Sequence, residues 1–93
     1  MSDKKSKSDF VVSSAQLRAA RALLRWSALD LAKASKVGVA TIRRVEVMDG
    51  PIPVTPANEG ALRSALEAAG VEFIDENGGG PGVRLRKTPK QKR

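Results

Sequence analysis

The sequence contains no cysteine, no histidine and no tyrosine, and its only aromatic residues are Phe10, Trp26 and Phe73. Without cysteine, neither a disulfide framework nor a thiolate metal site can form. Without histidine, the commonest general base and the commonest metal ligand are both missing. The acidic residues are scattered, and no pair stands at a recognisable catalytic spacing. An enzyme is therefore not expected, nor is a metal or other cofactor. No window approaches the roughly 18 consecutive apolar residues of a spanning helix. The opening "MSDKKSKSDF" leads into no apolar stretch of the kind a secretory signal needs. The expectation is a soluble cytoplasmic protein with no membrane partner.

What is present is positive charge, unevenly placed. The chain of 93 residues carries a net charge of +7, and its length suits one domain with a limited core. Residues 10–48 hold seven basic residues against Asp30 and Glu46, whereas residues 49–83 hold only Arg63 against six acidic ones. Residues 84–93 then add Arg84, Arg86, Lys87, Lys90, Lys92 and Arg93, with no acid among them. A cationic first half and a cationic tail thus flank an acidic segment. That pattern fits a surface for a polyanion, although a short basic tail can equally be a solubilising end.

Residues 1–12 read as a disordered tail. Ser13 or Ser14 can cap "AQLRAARALLR", in which Leu17, Ala20 and Leu24 recur at helical spacing while Arg18, Arg21 and Arg25 line another face. This arginine row is expected to be exposed, with at most one phosphate contact. Trp26 closes that helix as a packing residue, and Ser27 with Asp30 caps the next, on which Leu31 and Ala34 continue the apolar side. A third helix begins near Gly38 and turns Ile42 and Val45 inward. "DGPIPV" stops it, because Pro51 and Pro53 forbid continuation. Thr55–Pro56 reads as a cap and first helical position of a fourth helix, with Asn58 as the alternative cap. Its stripe of Ala61, Leu62, Ala65, Leu66 and Ala69 ends at Gly70.

Beyond Gly70 the period changes. "VEFI" (71–74) and "VRLRK" (83–87) are β-prone and separated by "DENGGGPG", the pattern of an antiparallel hairpin. A lone two-stranded sheet is marginal, so this one must pack on the helices or pair with a second subunit. Phe73 reads as hairpin-to-helix packing. The glycine run lacks the lysine and following helix of a phosphate-cradling loop and reads as a hairpin turn. Residues 13–87 form the domain on this reading, and residues 88–93 a basic disordered tail.

The stretch "LAKASKVGVATIRRVE" (31–46) has the rhythm of a helix, a tight turn and a second helix. Ala32 is small where two steeply crossing helices approach, the link "SKVG" is short, and Val37, Ile42 and Val45 supply buried positions. Such a unit presents the outer face of its second helix to a major groove about as wide as an α-helix. Here that face would hold Gly38, Val39, Ala40, Arg43, Arg44 and Val47.

Together with "RALLRWS" before it and "ALRSALEAAGVEFI…GVRLR" after it, this stretch resembles the compact Xre/Cro-repressor-like regulators of proteobacteria. The likeness spans about Ser14 to Arg86 and rests on Leu31–Ala32, Val37, Thr41–Ile42 and "RRVE" ending at Glu46. It implies a mainly α, four-helix, lambda-repressor-like helix-turn-helix domain, here followed by the hairpin. It also implies a dimer on paired half-sites of double-stranded DNA that regulates transcription, with Glu46 serving the fold. Several positions depart from the family pattern. Lys36 replaces the turn glycine, Gly38 the hydroxyl cap of the recognition helix, Val39 and Ala40 the polar readers, and Ala28 a glutamine.

Valine and alanine can touch thymine methyls but cannot make bidentate bonds to base edges, so base reading would fall to Arg43 and Arg44. The candidate DNA- or partner-contacting residues are accordingly Ala28, Lys36, Gly38, Val39, Ala40, Thr41, Arg43, Arg44 and Val47. Three functions fit them. The first is a small regulator, most simply a repressor, on operator DNA. The second is a degenerate helix-turn-helix antiactivator whose small apolar front binds a regulatory protein. The third is the antitoxin of a toxin–antitoxin pair, with both DNA and a protein as partners.

Overall fold

Capping residues set the helix limits in the computed structural model, which describes residues 11–86. The first helix, α1 (Ser14–Leu24), starts from a capping box in which the Ser13 hydroxyl and the Gln16 amide each accept the other's backbone N–H. It ends at Arg25, whose backbone is left-handed at φ 60°. Ser27 and Asp30 make the same reciprocal box at the head of α2 (Ala28–Ser35). The Ser27 main-chain N–H bound to the Asp30 carboxylate holds that group below its ordinary pKa of 3.8. Gly38 precedes α3 (Val39–Glu46) with no side chain to cap it. Thr55, rather than Asn58, caps α4 (Pro56–Ala68), with Pro56 at its first position.

After Gly70, at φ 113°, the chain enters β1 (Val71–Ile74), which pairs antiparallel with β2 (Gly82–Leu85) in the register Val71↔Leu85 to Ile74↔Gly82. The architecture is therefore mainly α, with four helices and one hairpin, as the sequence predicts. The second strand is 82–85 rather than 83–87, and residue 87 lies outside the described residues, as do the tails 1–10 and 88–93. In the turn between the strands, the Glu76 carboxylate accepts the backbone N–H groups of Gly78 and Gly80. The amides a phosphate would need are thus already occupied by the chain's own side chain.

The core is built from Leu17 and Ala20 of α1, Leu31 of α2, Ile42 and Val45 of α3, Leu62 and Leu66 of α4, and Val71 and Phe73 of β1. Trp26 packs against its edge. Burying a side chain the size of leucine or isoleucine contributes roughly 1.5–3 kcal/mol, which is how a domain this small stays folded. The Arg63 guanidinium sits 4.9 Å from the centre of the Phe73 ring and bonds Glu67, so that the hairpin is tied to α4.

Two placements correct the sequence reading, and a third lies beyond it. Val12, assigned to a disordered tail, is fully buried. Its N–H donates to Glu59 and its carbonyl accepts from Ile52, which fastens the chain across the 50–52 segment. On α2 the inward stripe is Ala28, Leu31 and Ser35, so Ala34 faces outward and a serine is buried in its place. The Ser35 hydroxyl accepts the N–H of Val37 at 3.2 Å, which removes the cost of burying it. Finally, Gln16 is buried, and its amide donates to the carbonyls of Ile74 and Gly82. One α1 side chain thereby holds both strands of a hairpin that would not persist alone.

Candidate nucleic-acid interface

The helices α2 and α3 are joined by Lys36, Val37 and Gly38 only. Lys36 takes the left-handed conformation that its place in the turn demands, at φ 68°, and its N–H closes on the Ala32 carbonyl at 2.8 Å. A side chain with a Cβ pays roughly 1–2 kcal/mol there, and glycine would relieve it at the cost of a looser unfolded chain. The net expectation for Lys36→Gly is a gain of about 0.5–1 kcal/mol, read as a higher urea midpoint at unchanged slope. Should Lys36 touch a phosphate, the same variant loses about one charge from the salt dependence of DNA binding. Stability and affinity then move in opposite directions.

Helical period sorts α3 into two sides. Ile42, Val45 and Glu46 are buried, and Ala40, Arg43, Arg44 and Val47 are exposed. Those four positions follow the i, i+3, i+4, i+7 spacing of one helix face and form one outward stripe. Val47, the residue closing the helix, is 83% exposed. Gly38 is exposed at the helix start, and an added Cβ would meet nothing within 4 Å, so this end of α3 is open to an approaching backbone. Thr41 is half-buried at the flank.

Two candidates fall elsewhere. Val39 is half-buried and packs against the core, because it stands three residues before Ile42 and seven before Glu46 on the inward side. Ala28 is only 8% exposed, under the first turn of α2, which excludes a side-chain contact from it. The small apolar front expected from the sequence is thus reduced to Gly38 and Ala40, with Val47 a full helix away.

The arginine row of α1 is exposed at Arg18 and Arg25, as expected, and corrected at Arg21, which is half-buried. The side chain of Arg21 bonds both carboxylate oxygens of Glu46, at 2.8 and 2.7 Å, and its remaining nitrogen bonds the carbonyl of Trp26 at 2.7 Å. The bond to Glu46 raises the Arg21 pKa above its ordinary value, against an opposing effect of burial. Arg18 donates to the main-chain carbonyl of Glu46, where the dipole of α3 favours a cation. Two of the three arginines are therefore spent on fixing the end of α3 to α1. Arg25 is exposed at the helix end. The sequence carried a signal for this pair, since Glu46 is the sole acid of the α3 segment and a buried carboxylate requires a cation.

The described cations divide cleanly. Arg18, Arg21, Arg63, Arg84 and Arg86 are engaged by carboxylates or carbonyls. Arg25, Lys33, Lys36, Arg43 and Arg44 make no side-chain hydrogen bond or ion pair with any described residue, and all five lie between the end of α1 and the last turn of α3. Among the described residues there is no acidic cluster able to hold a metal ion, and no helix is long and apolar enough to cross a membrane. A comparison of the chain with known protein families finds no match, and comparison with curated proteins finds none either.

Proposed function

We propose that the protein is a helix-turn-helix transcriptional regulator that acts in the cytoplasm, with α3 as the recognition helix, and that it represses by occupying operator DNA. The observation that carries this reading is the placement of the five unengaged cations. They belong to the α1 end, α2, the turn and α3, while the other cations among the described residues bond carboxylates or carbonyls. Two of them, Arg43 and Arg44, stand on the outward stripe in the last turn of α3, where a guanidinium can make paired bonds to guanine O6 and N7. The other three are suited to phosphates, which set affinity and register but carry no sequence information. Fluorescence anisotropy with duplexes enriched from a random pool tests the reading. A preferred sequence and a salt slope of about three to five are expected, and equal affinity for every duplex would refute it.

A protein partner is the second reading, and what favours it is that Ala40 and, two turns further along the same stripe, Val47 are both exposed. Ala40→Glu separates the two. Ala40 is the second residue of α3, where an acid complements the helix dipole, so melting should be unchanged or slightly raised. On the DNA reading, a carboxylate facing phosphates lowers duplex affinity by about 1–3 kcal/mol. On the antiactivator reading, the variant loses its activator partner, and there is no sequence-specific DNA binding to lose.

A further inference from the structure

We infer that the hairpin turn is a self-modifying site, in which the Gly78 nitrogen attacks the side chain of Asn77 and converts that residue to aspartate and isoaspartate. The inference stands apart from DNA binding and uses only the turn's own groups. Asparagine followed by glycine occurs once in the chain, at 77–78, and residues 76–79 are all exposed to water. Gly78 has no side chain to shield its nitrogen, and at φ 103° it holds a backbone conformation that glycine adopts freely.

Three contacts prepare the reaction. The nucleophile is the Gly78 nitrogen, whose N–H donates to Glu76 Oε2 at 2.9 Å, so a carboxylate is in place to take the proton. The Gly80 N–H, at 3.1 Å from the same oxygen, fixes that carboxylate. The electrophile is the Asn77 carboxamide, whose Oδ1 accepts the Gly79 N–H at 3.3 Å. This bond folds the carboxamide back along the chain, over the intervening Gly78. It also polarises the carbonyl and stands where negative charge develops on Oδ1, the role of an oxyanion donor. Asn58 is the contrast. It lies in α4, and the nitrogen that follows it, of Glu59, donates to the Thr55 carbonyl at 2.9 Å rather than to a base.

The reaction balances within the turn and one water molecule. As the Gly78 nitrogen bonds Asn77 Cγ, its proton passes to Glu76. The tetrahedral intermediate collapses, the Cγ–Nδ2 bond breaks, and Glu76 returns the proton to the departing ammonia. The product is a succinimide ring. Water opens it at either carbonyl, which gives aspartate or isoaspartate at position 77 and restores the Gly78 N–H. Both products place a new carboxylate beside Glu76, and isoaspartate also lengthens the main chain of the turn by a methylene.

Incubation of the full chain at neutral pH, folded and unfolded in guanidinium chloride, tests this by trypsin digestion and mass spectrometry. Cleavage after Arg63 and Arg84 releases residues 64–84, which hold Asn77 but not Asn58. That peptide should gain the mass difference between an amide and an acid and split into two chromatographic species of equal mass. The peptide holding Asn58 should stay intact. A positioned base typically supplies 10²-fold or more, and water competes with this exposed one, so Asn77 should be lost about tenfold faster in the folded chain than in the unfolded one. Glu76→Gln keeps an acceptor oxygen but removes the base, and should lower the folded rate about tenfold, to that of the unfolded chain. A folded rate equal to or below the unfolded rate overturns the inference, because the turn would then protect Asn77. So does a folded Glu76→Gln that reacts as fast as the parent. If Glu76→Gln does not fold, the ratio of the parent's two rates decides alone.

Discussion

Replacing Arg43 and Arg44 together by alanine is expected to abolish sequence-specific DNA binding while leaving the domain folded. Both side chains are exposed and make no ion pair with any described residue, so their loss removes nothing from the core. Alanine is also the better helix former, which holds stability within about 0.5 kcal/mol of the parent. In DNA, each guanidinium that reads a base edge is worth about 1–3 kcal/mol of discrimination. The double variant should therefore lose about 2–6 kcal/mol against the preferred duplex, enough to bring it down to the level of a random one. The single variants distinguish the two roles. One that reads a base relaxes preference at one position, whereas one that holds a phosphate weakens all duplexes equally and lowers the salt slope by about one. Electrophoretic mobility shift at several salt concentrations checks both.

Removing Glu46 is expected to produce the other large effect, on folding rather than on binding chemistry. Its side chain is 8% exposed and that of its partner Arg21 23%, and the two are joined by a pair of bonds. Glu46→Ala strands the Arg21 guanidinium beside the core, and breaking such a pair costs about 3 kcal/mol or more. For a domain of this size that is a fall of roughly 12–24 °C in Tm, measurable by circular dichroism. The paired variant Arg21→Met with Glu46→Leu should recover most of the loss, because two well-packed apolar side chains can replace a buried ion pair at little cost. Failure of that rescue would mean that the bond from Arg21 to the Trp26 carbonyl, which the paired variant also removes, matters more than the charge pair. Since this network fixes the end of α3, Glu46→Ala should also weaken DNA binding at temperatures where the protein is still folded.

Helix limits were legible because the chain marks them chemically. Ser13, Ser27 and Thr55–Pro56 stand where the caps are, and each signals through its own neighbours within three residues. The outward stripe of Ala40, Arg43, Arg44 and Val47 was legible for a related reason, as helical period alone places it. What local pattern could not supply is whatever depends on a distant partner. Nothing near Gln16 in the chain points to the carbonyls 58 and 66 positions away that its amide meets. Arg21 reads as solvated until Glu46 arrives from 25 positions on. Val39 and Ala34 fell on the wrong side because an eight-residue helix has too few turns to define its own stripe. The packing angle of its neighbours then decides the boundary positions.

Titration of ¹⁵N-labelled protein with the preferred duplex, followed residue by residue, tests the central claim most directly. If α3 is the recognition helix, the largest shifts fall on the amides of residues 36–47 and on the Nε signals of Arg43 and Arg44. The hairpin amides of Glu72 and Phe73 should stay unchanged. Shifts confined to residues 84–93 and erased by moderate salt, with α3 unmoved, would contradict it.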